Sequence, residues 1–321
     1  MSSQNILITG ISGQDGIFLA NQFLKDDSKN YKIYGISRQD PLISINKINS
    51  IGVVSHDLKI IDVDLTDSLK VKSLISDLKP AQIFNLSGPS SVYESINNSK
   101  YFQNTINSIF DNLTNSCLEL KQFPNFFQAC SSEMFSNKNK IPLNENSVFD
   151  PRSPYAKAKY QVFNKLNKLK ELYDWNIKAG IMFNHESEFR DQEYLFMKIF
   201  NSAKLIKSKK LEYLEIGSLD ICRDWSFAGD VSNAMFLMNQ SDNRNNFVIG
   251  SGKAISVKEV IEQIFSLFEI NLENNIIVNP KLLRFGDPQT IISDPSMIKK
   301  SLNWNQNLTF EDLIERIFKR V

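Results

Sequence analysis

A glycine-spaced turn between an apolar run and an amphipathic run is the feature that most constrains this chain. Residues 5–9 have the composition of a buried parallel strand, and residues 17–24 show the apolar spacing of a helix. Between them Gly10, Gly13 and Gly16 form G-x-x-G-x-x-G, a spacing variant of the dinucleotide fingerprint. Such glycines allow a tight turn and let backbone N–H groups approach a pyrophosphate at a helix N-terminus. The turn therefore predicts dinucleotide binding, and a glycine-rich turn without a ligand is the alternative.

Strand-like and helix-like runs alternate through the first two thirds of the chain. Strands are predicted at 32–37, 59–63, 81–86, 126–130 and 176–183, and helices begin near Asp67, Asn104 and Ser153. Residues 39–58 are expected to be irregular. The alternation predicts an α/β protein with a doubly wound, Rossmann-like parallel sheet. Ligands of such sheets bind outside the carboxyl ends of the strands.

The last third of the chain mixes helices with short strands. Helices are predicted at 194–207, 230–239, 257–268 and 310–319, and strands at 213–216 and 247–249. We expect these elements to form a smaller α/β lobe, interleaved with the sheet, that holds the substrate. Residues 1–183, completed by about 226–250, are assigned to the cofactor-binding domain, and 184–225 and 251–321 to the substrate lobe.

Composition and charge argue against several classes of function. The net charge of +1 favours neither nucleic acid nor a membrane surface as a partner. No run approaches the ~20 apolar residues of a membrane span, and the first residues show no signal-type segment, so we expect a cytoplasmic protein. The cysteines (Cys117, Cys130, Cys222) are scattered, and the histidines are only His56 and His185. Neither a disulfide framework nor a metal site is therefore expected.

Residues at the strand ends bear on the choice of dinucleotide. Arg38 follows the second strand, where an acidic residue would bind the ribose 2′-hydroxyl of NAD. An arginine suits a 2′-phosphate, so NADP is favoured and NAD is the alternative. The residues expected to bind the cofactor are Gly10, Gly13, Gln14, Asp15, Gly16, Arg38, Asp64, Leu65, Leu86, Ser87, Tyr155 and Lys159.

Tyr155 and Lys159 stand four residues apart in a run that favours helix, with Ser153 as its cap and Pro154 in its first turn. This spacing places both side chains on one face, where the cation should pull the pKa of the phenol from about 10 toward neutrality. An isolated pair of this kind is ordinarily a solvated helix face. Together with Ser131 the pair predicts a site that oxidises an alcohol, because Ser131 can hold a substrate alcohol while Tyr155 removes its proton. Lys159 would bind the nicotinamide ribose.

The glycine turn followed by Ser131, Tyr155 and Lys159 resembles the extended short-chain dehydrogenase/reductase family. Glu133 adds information, because strand alternation would send it to the same side as Ser131. An epimerase of that family only oxidises and re-reduces C4 of a sugar. A 4,6-dehydratase also needs a carboxylate to take the C5 proton and to protonate the departing C6 hydroxyl. Glu133 therefore favours a dehydratase, and an exposed loop carboxylate is the alternative.

Longer stretches are similar to the GDP-mannose 4,6-dehydratase branch of that family. The matching stretches include 8–16 (ITGISGQDG), 128–133 (QACSSE), 151–156 (PRSPYA), 183–187 (FNHES) and 223–225 (RDW). The resemblance implies a GDP-sugar substrate and a homodimer or homotetramer. It further implies that the substrate is bound by Ser90, Asn184, Lys198, Arg223, Arg284 and Asp287.

Several positions depart from that branch. Ser131 stands where the family usually has threonine, and the region after Arg38 is shorter and carries one arginine instead of two. The stretch Ser87–Val92 also differs from the usual sequence, which bears on the sugar pocket. GDP-mannose and a related GDP-sugar such as a GDP-heptose are therefore both open as substrates. An epimerase or reductase of the same family and a non-catalytic NADP-binding protein are the alternative functions.

Overall fold

The computed structural model describes residues 3–26, 28, 30–52, 57–282 and 287–320. Its strands, numbered in chain order, are β1 (Gln4–Thr9), β2 (Tyr31–Ile36), β3 (Leu58–Ile61), β4 (Gln82–Asn85), β5 (Asn125–Ser131), β6 (Ile177–Met182), β7 (Asn184–Glu186), β8 (Leu214–Ile216), β9 (Cys222–Phe227), β10 (Phe247–Ile249), β11 (Ala254–Ser256), β12 (Ile276–Val278) and β13 (Thr290–Ile291).

The helices are numbered in the same way. They are α1 (Gln14–Lys25), α2 (Pro41–Asn49), α3 (Ser68–Leu78), α4 (Val92–Asn97), α5 (Ser99–Glu119), α6 (Pro154–Tyr173), α7 (Leu195–Lys207), α8 (Ala228–Gln240), α9 (Val257–Leu267), α10 (Ser296–Leu302) and α11 (Phe310–Phe318). None of the helices in the described ranges is both long and apolar enough to cross a membrane.

The central sheet has seven parallel strands in the order β10-β6-β5-β4-β1-β2-β3. Alternate residues of β1 serve opposite faces: Leu7 joins one buried core, and Ile6 and Ile8 join the other. Helices α3, α5 and α6 cover the first face, and α1 and α8 cover the second. The predicted doubly wound sheet is therefore confirmed. Its strand order reverses between β1 and β4, which opens a crevice at their carboxyl ends.

A second, smaller body of structure is built from segments of the chain on both sides of β10. Strand β9 pairs with β7, β11 and β13, and β12 pairs with β8. A third core holds these strands against α7, α9 and α11, through residues such as Phe196, Ile264 and Leu313. Trp304 and Ile298, although they come late in the chain, pack in the core of the central sheet. We call the part built on β7–β9, β11–β13, α7, α9 and α11 the lobe.

The stretch 39–58 differs from its prediction. It contains α2 and the start of β3, whereas residues 53–56 lie outside the described ranges. Asp40 caps α2 by accepting a hydrogen bond from the backbone N–H of Leu42 (2.9 Å), and Pro41 occupies the first position. The cap and the proline were visible in the sequence. The helix was missed because it buries only Ser44 and Ile48, so its apolar periodicity is weak.

Candidate active site

A cavity of about 870 Å³ lies at the carboxyl ends of the central strands, between the sheet and the lobe. Its size is typical of small-molecule sites. The predicted site residues that line it are Gly10, Gly13, Gln14, Asp15, Arg38, Asp64, Leu65, Leu86, Ser87, Ser90, Ser131, Glu133, Tyr155, Lys159, Asn184, Lys198, Arg223 and Asp287. Sequence positions up to 277 residues apart thus meet at one place, as expected for the strand ends of a doubly wound sheet.

The glycine turn has the shape of a cradle. Gly10 adopts φ +70°, and a Cβ there would lie 3.0 Å from the Leu86 carbonyl. A Cβ on Gly16 would lie 2.5 Å from Cα of Ile11, so this glycine permits the close packing of α1 on the turn. Gly16 does not line the cavity, so its predicted contribution to cofactor binding is indirect. Gly10 and Gly13 line the cavity at the N-terminus of α1, a position that suits a phosphate, so the turn fits a dinucleotide.

Gln14 and Asp15 connect this turn to the start of the lobe. The Gln14 amide donates to the His185 carbonyl oxygen (2.8 Å) and accepts from the Ser187 hydroxyl (2.8 Å). Asp15 forms an ion pair with His185, with 3.0 Å between Oδ1 and Nε2. Burial acts to raise the pKa of Asp15, but the charge and hydrogen bond of His185, together with the charges of Arg190 and Lys159, lower it overall. Burial likewise acts to lower the pKa of His185, and Asp15 raises it overall.

Thr9, a residue that the sequence did not single out, organises the end of β4. Its hydroxyl accepts from the backbone N–H groups of Leu86 (3.1 Å) and Ser87 (3.2 Å) and donates to Asn85 Oδ1 (2.9 Å). The two predicted cofactor-binding residues are therefore held by a buried threonine at the end of β1. The only sequence signal for this role was a hydroxyl at the last position of an apolar strand.

Arg38 and Asp64 lie at the ends of the neighbouring strands β2 and β3. Arg38 is exposed at the edge of the cavity. The Asp64 carboxylate accepts from the backbone N–H (2.9 Å) and hydroxyl (2.7 Å) of Thr66. These bonds lower the pKa of Asp64, and the charge of Arg38 contributes. The arginine thus remains solvated where an added phosphate could reach it.

Ser131, Tyr155 and Lys159 converge on the cavity, as predicted. Helix α6 begins as expected, with the Ser153 hydroxyl accepting from the Ala156 N–H (3.0 Å). The Tyr155 hydroxyl is hydrogen-bonded to the Ser131 side chain. The Lys159 ammonium donates to the Ala129 carbonyl oxygen (2.9 Å) and lies 5.8 Å from the centre of the Tyr155 ring. A strand end therefore fixes both the serine and the lysine around the phenol.

The predicted low pKa of Tyr155 is wrong for the chain by itself. Burial raises the pKa of Tyr155, the hydrogen bond with Ser131 lowers it in part, and the negative charge of Glu133 raises it further. Burial also lowers the pKa of Lys159. The helix spacing was correct, but it says nothing about burial, and Tyr155 and Lys159 are only 7% and 6% exposed. Desolvation outweighs the effect of the nearby amine.

Glu133 reaches the cavity by a different route from the one predicted. Strand β5 ends at Ser131, and a 3₁₀ turn over Ser132–Met134 replaces the expected alternation. The Ser131 hydroxyl caps this turn by accepting from the Glu133 N–H (3.2 Å). The half-buried Glu133 carboxylate still lines the cavity with Tyr155, close enough for its charge to act on the phenol.

The lobe side of the cavity carries paired charges. Arg223 donates to Asp287 Oδ1 (2.7 Å) and to the Pro288 carbonyl oxygen (3.0 Å), and both charged side chains are nearly buried. Lys198, a predicted substrate contact, donates to the Glu215 carbonyl oxygen (3.0 Å). Arg284, also predicted as a substrate contact, lies outside the described residues.

Comparison with known proteins identifies the family of the chain. The sequence model described as GDP-mannose 4,6 dehydratase matches residues 7–317. The protein of that name from Drosophila melanogaster is 33% identical, over 98% of this chain and 85% of its own length. The human protein is 31% identical over 97% and 89%, and the one from Vibrio cholerae 29% over 99% and 93%. The chain belongs to the GDP-mannose 4,6-dehydratase family.

Solved structures with low sequence identity share the fold of this GDP-mannose 4,6-dehydratase family member. The UDP-glucose 4-epimerase of Thermotoga maritima aligns with a TM-score of 0.84 at 18% identity, covering 99% of both chains. A dTDP-glucose 4,6-dehydratase from Bacillus anthracis, solved with NAD, aligns with a TM-score of 0.83 at 18% identity, covering 98% of this chain and 97% of its own. Epimerases and dehydratases thus share one scaffold, so the reaction has to be argued from the site.

This family member also carries site residues that the sequence did not predict. The Arg190 guanidinium lies 3.6 Å from the centre of the Tyr194 ring and pairs with Glu186, with 3.3 Å between Arg190 Nε and Glu186 Oε2. The Tyr194 hydroxyl lies 2.6 Å from the hydroxyl of Ser90. All of these residues line the cavity. Arg190 and Tyr194 belong to no local pattern, because they come together with Glu186 and the predicted Ser90 only where the lobe meets the sheet.

Proposed function

We propose that this protein is an NADP-dependent 4,6-dehydratase of GDP-mannose or of a related GDP-sugar such as a GDP-heptose. The observation that carries the proposal is the position of Glu133. Glu133 lines the same cavity as Ser131 and Tyr155, and its backbone N–H donates to the Ser131 hydroxyl (3.2 Å). Oxidation of a carbinol needs the serine and the tyrosine, whereas elimination of water also needs a nearby carboxylate.

The cofactor would lie across the glycine turn and the ends of β1, β2 and β4. Gly10 and Gly13 would allow the close approach of the pyrophosphate, and Lys159, which lines the same cavity, would bind the nicotinamide ribose. The exposed guanidinium of Arg38 supports NADP over NAD, because it can bind a 2′-phosphate with charge-assisted hydrogen bonds. When bound, the nicotinamide supplies a site that accepts a hydride from C4 and returns it to C6.

The side chains of the protein divide the remaining steps. Ser131 would hold the C4 hydroxyl, and Tyr155 would take its proton as the C4–H bond breaks. This step needs the phenolate of Tyr155, which the Lys159 ammonium and the positive charge of a bound oxidised nicotinamide would stabilise against the effect of burial. The resulting C4 ketone makes the C5 proton acidic, so Glu133 can remove it. Protonated Glu133 then gives this proton to the C6 hydroxyl, which leaves as water. After C6 has gained the hydride, C5 takes a proton from solvent, and Tyr155 releases to solvent the proton that it took from the C4 hydroxyl. A 4-keto-6-deoxy sugar results, with loss of one water and without net redox change.

Mass spectrometry of the products tests the reaction. Purified protein with NADP and GDP-mannose should convert the substrate to a product lighter by one water, without net consumption of NADP. In D₂O the product should carry solvent deuterium at C5, because that carbon loses and regains a proton. A panel with GDP-heptose and other nucleotide sugars determines the sugar. Absence of dehydration for every member of the panel would refute the proposal.

Glu133→Gln separates a dehydratase from an epimerase or reductase of the same family. The amide cannot remove the C5 proton, so dehydration should fall by about 10²-fold or more. An epimerase would keep most of its activity, because its chemistry stops at C4. The exposed Glu171 on α6 is the matched control, since Glu171→Gln removes the same charge on a residue outside the cavity.

The choice of cofactor can be tested at Arg38. Arg38→Ala should weaken NADPH binding about tenfold and leave NADH binding nearly unchanged, because only NADPH offers the 2′-phosphate. Equal effects on both dinucleotides would contradict a preference for NADP. A homodimer or homotetramer also stays a prediction, which light scattering on the eluted protein can check.

A further inference from the structure

The hydroxyls of Ser90 and Tyr194 meet across the cavity, one from the loop after β4 and the other from the lobe. Their oxygens lie 2.6 Å apart, although 104 positions separate the two residues. The backbone of Tyr194 is fixed on both sides, since its N–H donates to the Asp191 carbonyl (3.2 Å) and its carbonyl accepts from the Lys198 N–H (2.8 Å). The phenol is therefore held at one place on the cavity wall.

The ring of Tyr194 is also fixed from its face. The Arg190 guanidinium stacks on it at 3.6 Å from the ring centre, and Arg190 pairs with the buried Glu186. Cation–ring contact and ion pairing restrict the rotation of both side chains. A phenol that is ordered before a ligand arrives loses little further entropy on binding.

Two hydroxyls that share one hydrogen bond keep the capacity to bind a third group. One O–H is used between Ser90 and Tyr194, which leaves one O–H donor and unused lone pairs on the two oxygens. A hydroxyl pair carries no formal charge, and the Arg190 guanidinium faces the ring of Tyr194 instead of its hydroxyl. Such a pair matches a sugar hydroxyl, which both donates and accepts, better than a phosphate.

The position of this pair near the reacting groups indicates which hydroxyl of the sugar it binds. Ser90 and Tyr194 line the same cavity as Ser131, Glu133 and Tyr155. Under the proposed function, Ser131 and Tyr155 hold the C4 hydroxyl, and Glu133 serves C5 and C6. The remaining neighbour of C4 that carries a hydroxyl is C3.

We propose that Tyr194, paired with Ser90, is a specificity-determining residue that binds the C3 hydroxyl of the sugar. This inference rests on the proposed function for its choice of substrate. It adds to the predicted contact of Ser90 a partner from the lobe, so that the sugar is bound from both sides of the cavity.

Tyr194→Phe tests the inference, because it removes one oxygen and keeps the ring that Arg190 stacks on. With GDP-mannose, KM should rise about tenfold while kcat changes less than about threefold, as expected for a lost hydrogen bond to bound substrate. Ser90→Ala should shift KM in the same direction. Tyr213→Phe, a half-exposed lobe tyrosine outside the cavity, is the matched control and should leave KM unchanged.

Deoxy substrates show whether Tyr194 binds the sugar or only stabilises the lobe. With GDP-3-deoxymannose, wild type and Tyr194→Phe should have the same KM, because the partner hydroxyl is gone. With GDP-2-deoxymannose the tenfold difference should persist. A difference that persists on the 3-deoxy substrate, or that disappears on the 2-deoxy substrate, would overturn the inference. So would an unchanged KM for GDP-mannose.

Dissociation constants for the same three ligands keep this test separate from the proposed function. If wild type binds GDP-mannose but does not dehydrate it, the proposed function fails, and the binding series still reports on Tyr194. The thermal midpoint of each variant shows whether it is folded, and Ser90→Ala supplies the second series if Tyr194→Phe is not.

Discussion

The cavity has two walls: the sheet wall, formed by residues at the ends of the central strands and on α6, and the lobe wall, formed by residues of the lobe. The side chains of the two walls are held in place by different kinds of partner. On the sheet wall, side chains are held by backbone groups or by their immediate neighbours: Lys159 by the Ala129 carbonyl and Ser131 by the N–H of Glu133. On the lobe wall and at its junction with the sheet, charges are held mainly by other charges. Arg223 pairs with Asp287, and His185 pairs with Asp15.

Because of this difference, substitutions on the two walls should differ in their effects on turnover and on the stability of the protein. A substitution on the sheet wall removes a reacting group but leaves no buried charge without its partner. A substitution on the lobe wall leaves an opposite charge in a place with little water, which is costly. Variants of the sheet wall should therefore lose turnover while remaining stable, and variants of the lobe wall should lose stability as well.

The largest effect is expected for Tyr155→Phe. Loss of the proton acceptor should lower kcat by about 10³-fold, equivalent to about 4 kcal/mol of activation free energy, while the free energy of unfolding changes by less than about 1 kcal/mol. Turnover assays and denaturant titration measure the two quantities. Tyr160→Phe makes the same change on the same helix outside the cavity and should be active. A variant that retains a tenth of the activity would remove Tyr155 from its proposed role.

Arg223→Met is the corresponding change on the lobe wall. Arg223 and Asp287 have side chains only 5% and 10% exposed, so removal of the cation should lower the free energy of unfolding by about 3 kcal/mol. Denaturant titration gives the value. The exposed pair of Lys207 and Glu269 provides the contrast, and Lys207→Met should cost less than about 1 kcal/mol. Equal losses at both sites would erase the proposed difference between the walls.

The pair of Asp15 and His185 predicts a dependence of stability on pH. The pKa of His185 is raised in the folded state, so its contribution is complete below its unfolded value of about 6.5 and is lost as pH rises through the folded value. The pKa of Asp15 is lowered, so its contribution is lost only under acid, as pH falls below about 3.8.

We expect the free energy of unfolding to fall by on the order of 1 kcal/mol between pH 6 and pH 8. Denaturant titrations of wild type and His185→Gln at several pH values give the slope that belongs to His185. The glutamine keeps a polar side chain near Asp15 but does not titrate, so its slope in this window should be smaller. Parallel slopes would mean that other groups carry the effect.

The sequence predicted the residues of the sheet wall better than those of the lobe wall. The spacing of Tyr155 and Lys159, the cap at Ser153 and the glycine turn are local patterns, and the strand-end rule then brought Ser131 to them. Each depends only on regular backbone geometry, which a sequence encodes over a few residues. The seven-stranded sheet was predictable for the same reason.

The lobe wall was harder to predict because its contacts join distant parts of the chain. Ser90 and Tyr194 are each ordinary in their own stretch, and only the docking of the lobe makes them a pair. The pKa of Tyr155 was mispredicted because burial is a property of the whole fold. Short lobe strands such as Thr290–Ile291 also leave too few residues to show an alternating pattern.

Lys198 supplies the smallest expected change in stability and the sharpest test of the comparison. It is a lobe-wall cation, but it is half-buried and donates to a backbone carbonyl, that of Glu215. If pairing of buried charges, and not location, causes the stability cost, Lys198→Met should change the free energy of unfolding by less than about 0.5 kcal/mol. Its KM for GDP-mannose should still rise about tenfold, because a diphosphate would lose a charge-assisted donor. Lys204→Met, on the exposed side of the same helix, should change neither quantity. A loss of stability near that of Arg223→Met would show instead that the lobe wall is sensitive as a whole.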